Sequence, residues 1–247
     1  MRPSEPLPEN TGLAFLGEAA WPPAQLRERE AISILQAANA CGRPNSDVLR
    51  RRLAAVGDAP AENWSIDFPA HFTVQEAALY EQPFALLQKR AGGAWLNPGA
   101  NHGLRRALAR ISRYLALPAT VATPDWRWIE EDLLPDATLL VVARDDDFTH
   151  GILQSTLFAV WHHAHRTRRL DPVRIVESFP FPWAPATPLS ALTAAQEAQR
   201  HAIARAARSG NPGQLHAAVL AAYGWPPDTY DDALIGKLAG LNSERGR

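Results

Sequence analysis

Residues Thr138 to Trp183 read TLLVVARDDDFTHGILQSTLFAVWHHAHRTRRLDPVRIVESFPFPW, and this order decides the fold class. The apolar run TLLVVA at 138–143 has the length and branched-residue content of a strand. Three aspartates, Asp145, Asp146 and Asp147, end it, and a helical pattern over 149–166 follows. Carboxylates at that junction suit a helix start, where they accept free backbone N–H groups and face the positive end of the dipole. A magnesium site is the weaker reading, because adjacent side chains point in different directions. Past the helix the chain turns basic. Between His162 and Arg174 lie Arg166, Arg168, Arg169 and Arg174 with His162, His163 and His165 against the single acid Asp171, a local excess of three positive charges. Clustered guanidinium suits phosphate and guanine edges, because the planar fork donates two parallel hydrogen bonds. It is equally the composition of a solvated loop.

The rest of the chain sets limits on that choice. With 247 residues, 46% hydrophobic and 21% charged, it can bury a full core in one or two domains. The formal net charge is −1, so affinity for nucleic acid has to come from a patch and not from bulk charge. No apolar run is long enough to span a membrane, and the start MRPSEPLPENTG lacks the pattern of a signal peptide, so no membrane partner and a cytoplasmic location are expected. One cysteine, Cys41, excludes an internal disulfide and any cysteine-based zinc site. His162 and His165 have a spacing found in helical zinc sites, but no third ligand stands at a useful distance, so no metal is expected.

Two textures follow one another. Up to about residue 184, strand-like runs at 13–16, 64–68 and 138–143 alternate with helix-like stretches at about 24–39, 46–55, 73–90, 101–115 and 149–166. Thr73 and Glu76 have capping-box spacing. Trp126 and Trp128 at period two suit one strand face, as do Phe179, Phe181 and Trp183, and core packing is the expected use of these aromatics. From Pro185 onward the pattern is helical only. One helix opens near Ser190 and stops at Gly210, a second covers QLHAAVLAAYG and a third YDDALIGKLAGLN. The segment PFPWAPATP marks the boundary, because prolines continue neither a helix nor a ladder. The fold class expected is α+β: a mixed-sheet domain over 12–184 and a small all-helical domain over 185–247.

No catalytic machine is legible. The chain has no glycine-rich cofactor turn after a strand, no Asn/Asp-Pro-Pro-aromatic element, no G-x-S-x-G elbow, no P-loop and no H-E-x-x-H. Asn97-Pro98-Gly99-Ala100 reads as a turn. No nucleophile–base pair supports an independent hydrolase.

Several short motifs occur in a telling order. They are Gly42-Arg43-Pro44-Asn45-Ser46-Asp47-Val48-Leu49, Ile66-Asp67-Phe68 with Glu76-Ala77-Ala78-Leu79-Tyr80-Glu81, Arg113-Tyr114 with Pro118, Ala143-Arg144-Asp145-Asp146-Asp147, and Glu177-Ser178-Phe179-Pro180-Phe181-Pro182. The end, with Ala222-Tyr223-Gly224-Trp225-Pro226 and Leu238-Ala239-Gly240-Leu241-Asn242-Ser243-Glu244-Arg245, continues the series. Together, over about Gly12 to Arg245, they resemble the C-terminal part of the MmeI-like, type IIL restriction-modification enzymes and related adenine-specific DNA methyltransferases. The resemblance implies a target recognition domain and a helical tail that select a double-stranded DNA sequence. It also implies that S-adenosylmethionine belongs to a catalytic methyltransferase domain or partner subunit, with no cofactor held on this chain.

On that reading Arg166, Arg168, Arg169 and Arg174 are candidates for reading bases, assisted by His162, His163 and His165 as neutral donors, with one or two of the arginines reaching base edges. Arg105, Arg106, Arg110 and Arg113, spaced on nearly one face of the expected helix over 101–115, are candidates for phosphate contacts. Two alternatives stand beside it: a helical protein–protein adaptor whose basic loop meets an acidic partner, and a remnant of such an enzyme without function.

Overall fold

The computed structural model of the chain describes residues 4–56, 61–130, 133–167 and 170–246. Among these residues eight strands form: β1 (Ala14–Leu16), β2 (Gln25–Leu26), β3 (Leu49–Ala55), β4 (Ala61–Ile66), β5 (Arg113–Pro118), β6 (Arg127–Glu130), β7 (Leu133–Pro135) and β8 (Leu139–Val142). They build two four-stranded sheets, ordered β1-β8-β5-β6 and β2-β4-β3-β7. The first is antiparallel throughout, and the second is mixed, because β3 runs parallel to β7. The helices are α1 (Glu28–Gln36), α2 (Val74–Ala78), α3 (Glu81–Arg90), α4 (His102–Leu108), α5 (Asp147–Leu153), α6 (Thr156–Arg166), α7 (Pro172–Glu177), α8 (Ala194–Ser209), α9 (Pro212–Ala222) and α10 (Asp231–Arg245). The α+β class expected from the sequence is the class found.

Strand β8 is apolar at every position because both faces of its sheet are covered, and all four of its residues are buried. Successive side chains point to opposite faces, so Leu115, Leu117, Leu140 and Val142 pack on α5, α6 and α7. Tyr114, Ala116 and Val141 pack on Leu104 and Leu108 of α4. Beyond that second face, Leu53 of β3 and Leu133 of β7 close on Leu139, and α1, α2 and α3 pack with Leu26, Leu49 and Ile66 of the second sheet.

The helices after Pro185 join the first of these cores. Ile203, Ala206, Leu215, Val219, Leu220, Leu234 and Leu238 belong to one apolar cluster with Leu115, Val142 and Trp161. Helices α5 and α8 approach closely at Gly151, where a Cβ would lie 2.6 Å from Ile203 Cγ2. Thr193 caps α8, Gly210 ends it in the left-handed conformation at φ 65°, and Asn211 caps α9.

Some elements differ from the sequence reading, each for a local reason. The stretch 46–55 is not a helix. Leu49 and Leu53 have helical spacing, but β3 pairs along its length with β4, Leu49 opposite Ile66. The expected helix over 101–115 stops at Leu108, because Tyr114 to Leu117 are buried on both faces as β5. The stretch 73–90 is two helices, since Pro83 would clash with the Leu79 carbonyl in a continuous one. The stretch 149–166 is likewise two, because Ser155 caps a new helix by accepting from the Phe158 N–H at 3.4 Å. The Thr73–Glu76 capping box forms as read, and Asp146 caps α5 by accepting from the Thr149 N–H at 2.8 Å. Trp126, Phe179 and Phe181 are core residues.

The two sheets meet at Glu18. The chain leaves β1 through Gly17, whose N–H donates to the Leu139 carbonyl, and the next N–H, of Glu18, donates to the Pro135 carbonyl of the other sheet. A Cβ at position 17 would overlap the Asp136 carbonyl, so the crossing requires glycine. The Glu18 side chain is fully buried and receives both ends of the Arg105 fork at 2.7 Å each. Asn97 donates to it at 2.9 Å and the Asn101 N–H at 3.0 Å. Arg52 lies 3.6 Å from the same carboxylate and donates to the Glu18 carbonyl. Burial alone would push the Glu18 carboxyl up, but Arg105, the Asn101 N–H and Arg52 outweigh it and hold it below the ordinary range. Arg105→Ala would leave this carboxylate buried without its main partner, at an expected loss of about 3–5 kcal/mol. Urea unfolding checks this, and the Glu18→Gln, Arg105→Ala double variant should lose clearly less than the two single losses added together.

Candidate nucleic-acid interface

The basic segment after α6 divides by burial. Trp161 and His165 point to the core, where the His165 ring lies 2.8 Å from the Trp161 carbonyl through Nδ1 and 2.8 Å from the Ser4 hydroxyl through Nε2. His162 is also buried, against Phe158, and its Nδ1 has no hydrogen-bond partner among the described residues. Both histidines are therefore packed inside, and the structure does not put them on the surface where base-reading was expected. The helical period explains this, because His162 lies one turn after the buried Phe158 and His165 one turn after the buried Trp161, so each shares its face. His163 and Arg166 are exposed. The Arg166 fork reaches the Thr120 carbonyl at a long 3.4 Å.

Arg168 and Arg169 lie outside the described residues. Asp171 caps α7 by accepting from the N–H groups of Val173 and Arg174 at 2.9 and 3.3 Å. Arg174 is exposed and pairs with the exposed Glu5 at 3.2 Å, a surface contact of little strength that a ligand displaces cheaply. His163, Arg166 and Arg174 thus flank the basic segment on both sides, borne on helices whose other faces are core. Asn242 fixes the neighbouring backbone by donating to the carbonyls of Glu5 and Ser178 at 2.9 and 2.8 Å.

The second basic set does not form the single helical stripe expected. Arg105 is inside the frame, with its fork taken by Glu18 and Asp67, and these partners hold its guanidinium protonated far above the ordinary range. Arg106 is exposed on α4, and Arg110 is exposed past its end. Arg113, in β5, stacks 3.8 Å above the Trp128 ring and pairs with Asp147 at 2.9 Å, on the face of the first sheet that carries α5. Arg106 and Arg110 belong with α4 on the opposite face. The stripe separates because the strand after Ile111 replaces a period of 3.6 by a period of two.

Three further polar residues near α4 were not singled out in the sequence: Arg50, His71 and His102. The middle of Arg50-Arg51-Arg52 carried a usable signal, since period two in a strand sends Arg50 and Arg52 to the face opposite Arg51.

No family model matches the chain, and no curated protein matches it. Among solved structures it is similar to the type IIL restriction-modification enzyme MmeI in complex with DNA, at a TM-score of 0.57 and 13% identity over 94% of this chain. The chain spans about a third of that protein, 35% of its length. At this identity the likeness shows a shared fold.

Burial of His162 has a measurable consequence. Loss of solvent, then the charges of Arg166 and His163, push its imidazole down to about 4. The unfolded chain takes up a proton near pH 6.5 that the folded chain refuses until about pH 4, so stability falls as pH drops through that window. The full span is worth at most about 3 kcal/mol. Unfolding midpoints at a series of pH values should show this slope in the native chain and a flatter one in His162→Leu.

Proposed function

We propose that the chain recognises a specific sequence in double-stranded DNA, as the specificity portion of an adenine-methylating restriction-modification system. The observation that carries this reading is the fold shared with a DNA-bound restriction-modification enzyme across 94% of the chain. In this reading residues 12–184 form the recognition portion and residues 185–247 brace it, through the apolar cluster that α8, α9 and α10 share with the first sheet. The methyl group and its donor, S-adenosylmethionine, belong to a catalytic domain or a cytoplasmic partner subunit. This chain supplies the choice of site.

The reading has a physical basis in the α6–α7 turn. Exposed His163, Arg166 and Arg174 offer donors from helix ends held in place by the core, and Arg168 and Arg169 follow in the same segment. A bidentate arginine on guanine discriminates against a wrong base by about 1–3 kcal/mol, whereas a phosphate contact weakens all sequences alike when removed. Selection from a randomised duplex library at about 50 and 200 mM salt separates the two contributions. The expected result is an enriched sequence motif that is lost or relaxed at one position in Arg166→Ala, Arg168→Ala, Arg169→Ala or Arg174→Ala. Absence of enrichment for the chain, alone and with its methyltransferase partner, would overturn the proposal.

A further inference from the structure

We propose that a groove beside α4 is an anion site that seats a phosphate of the nucleic-acid backbone, with Arg50, His71, His102 and Arg106 as its donors. This deepens the DNA reading and rests on it for the source of the phosphate. The groove, about 810 Å3, opens between the residue 67–71 segment, α4 and β7. That volume lies within the range of pockets that enclose a nucleotide-sized group. It is a separate surface from the α6–α7 turn, because α4 and α6 cover opposite faces of the first sheet.

The chemistry of the lining is one-sided. The one carboxylate of its lining among the described residues, Asp67, is already consumed, accepting from Arg105 at 2.8 and 2.9 Å and from Arg50 Nε at 3.0 Å. Arg105 in turn is locked onto Glu18, so Asp67 and Glu18 balance Arg50 and Arg105 within the wall. Arg106 remains as a surplus cation, exposed and without a carboxylate partner among the described residues. His71 and His102 add exposed ring N–H donors at the same rim.

The geometry also orients what is left. Because Asp67 takes Arg50 through Nε, the two terminal amino groups of that guanidinium, with no partner among the described residues, can form a fork on a ligand, and its side chain is 51% exposed. A planar fork held from behind is the arrangement that suits a phosphate's paired oxygens. Between the donors the floor is apolar, with Phe68 and Leu134, which suits the sugar that joins successive phosphates. Cations at the rim with an uncharged floor select a phosphodiester over a small inorganic anion at equal charge.

The test uses the full chain and follows the ring resonances of its histidines by NMR, assigned with His71→Gln and His102→Gln. Titration with inorganic pyrophosphate should shift His71 and His102 along one saturating curve, while His201, exposed on α8 outside both basic surfaces, stays still. Arg106→Gln, which removes an exposed and unpaired side chain, should weaken that binding about tenfold, the lower end for a charge-assisted contact. No shift, or a parallel drift of His71, His102 and His201, would overturn the site. In the second arm a short DNA duplex should displace pyrophosphate. Displacement by a mononucleotide but not by duplex would overturn the assignment to the nucleic-acid backbone. Because the pyrophosphate arm uses no DNA, its failure is distinct from a failure of sequence recognition, which the library selection reads.

Discussion

The contact on which the rest of this structure depends is the buried pairing of Glu18 with Arg105, extended by Asp67 on one side and Arg52 on the other. Four segments far apart in sequence meet there: the end of β1, the middle of β3, the end of β4 and the start of α4. Charges withdrawn from water are costly, and such a cluster persists because every partner is hydrogen-bonded in good geometry. Its return is orientation more than stability. It fixes how the second sheet lies against the first, it draws α4 onto that junction, and it leaves Arg50 turned toward the open groove. A hydrophobic contact of the same area would set the distance between the sheets without setting their register.

The second constraint is the alternation of β5 and β8. Because all of Tyr114 to Leu117 and Leu139 to Val142 are buried, each face of the first sheet must be covered by a separate layer. One layer holds α5, α6 and α7 with the C-terminal helices, and the other holds α4 and the second sheet. The cationic side chains inherit this division. Arg166 and Arg174 belong to the first layer and Arg106 and Arg110 to the second, so these described arginines lie on two separate surfaces. With a net charge of −1, any affinity of the chain for a polyanion has to reside in such patches and not in its whole surface.

Where the sequence carried a signal of its own, it was legible. The strand at 138–143, the aspartate cap, the capping box at Thr73 and the three terminal helices all rest on local chemistry, and these elements form close to where they were expected. Strand β3 was not legible, because Arg50, Arg51 and Arg52 give no apolar alternation. Arg52 is buried only because Glu18, 34 residues away, is there to receive it. The same holds for the site. That the 162–174 segment is basic is plain from the residues, but which histidines face inward depends on the packing of Trp161 and Phe158. The role of Arg105 depends on Glu18 and Asp67, and no spacing within α4 encodes that pairing.

On the proposed reading, the α6–α7 turn is the surface that lies on the target bases. This is tested most directly by cleavage of a selected duplex with an iron chelate tethered at Thr167→Cys, in a chain whose one native cysteine is replaced by Cys41→Ser. The same chelate at Leu189→Cys, on an exposed turn ahead of α8, serves as the comparison. Cuts from position 167 should cluster within the selected sequence, with none there from position 189. Cuts concentrated by the position 189 chelate, or spread evenly along the duplex from position 167, would contradict it.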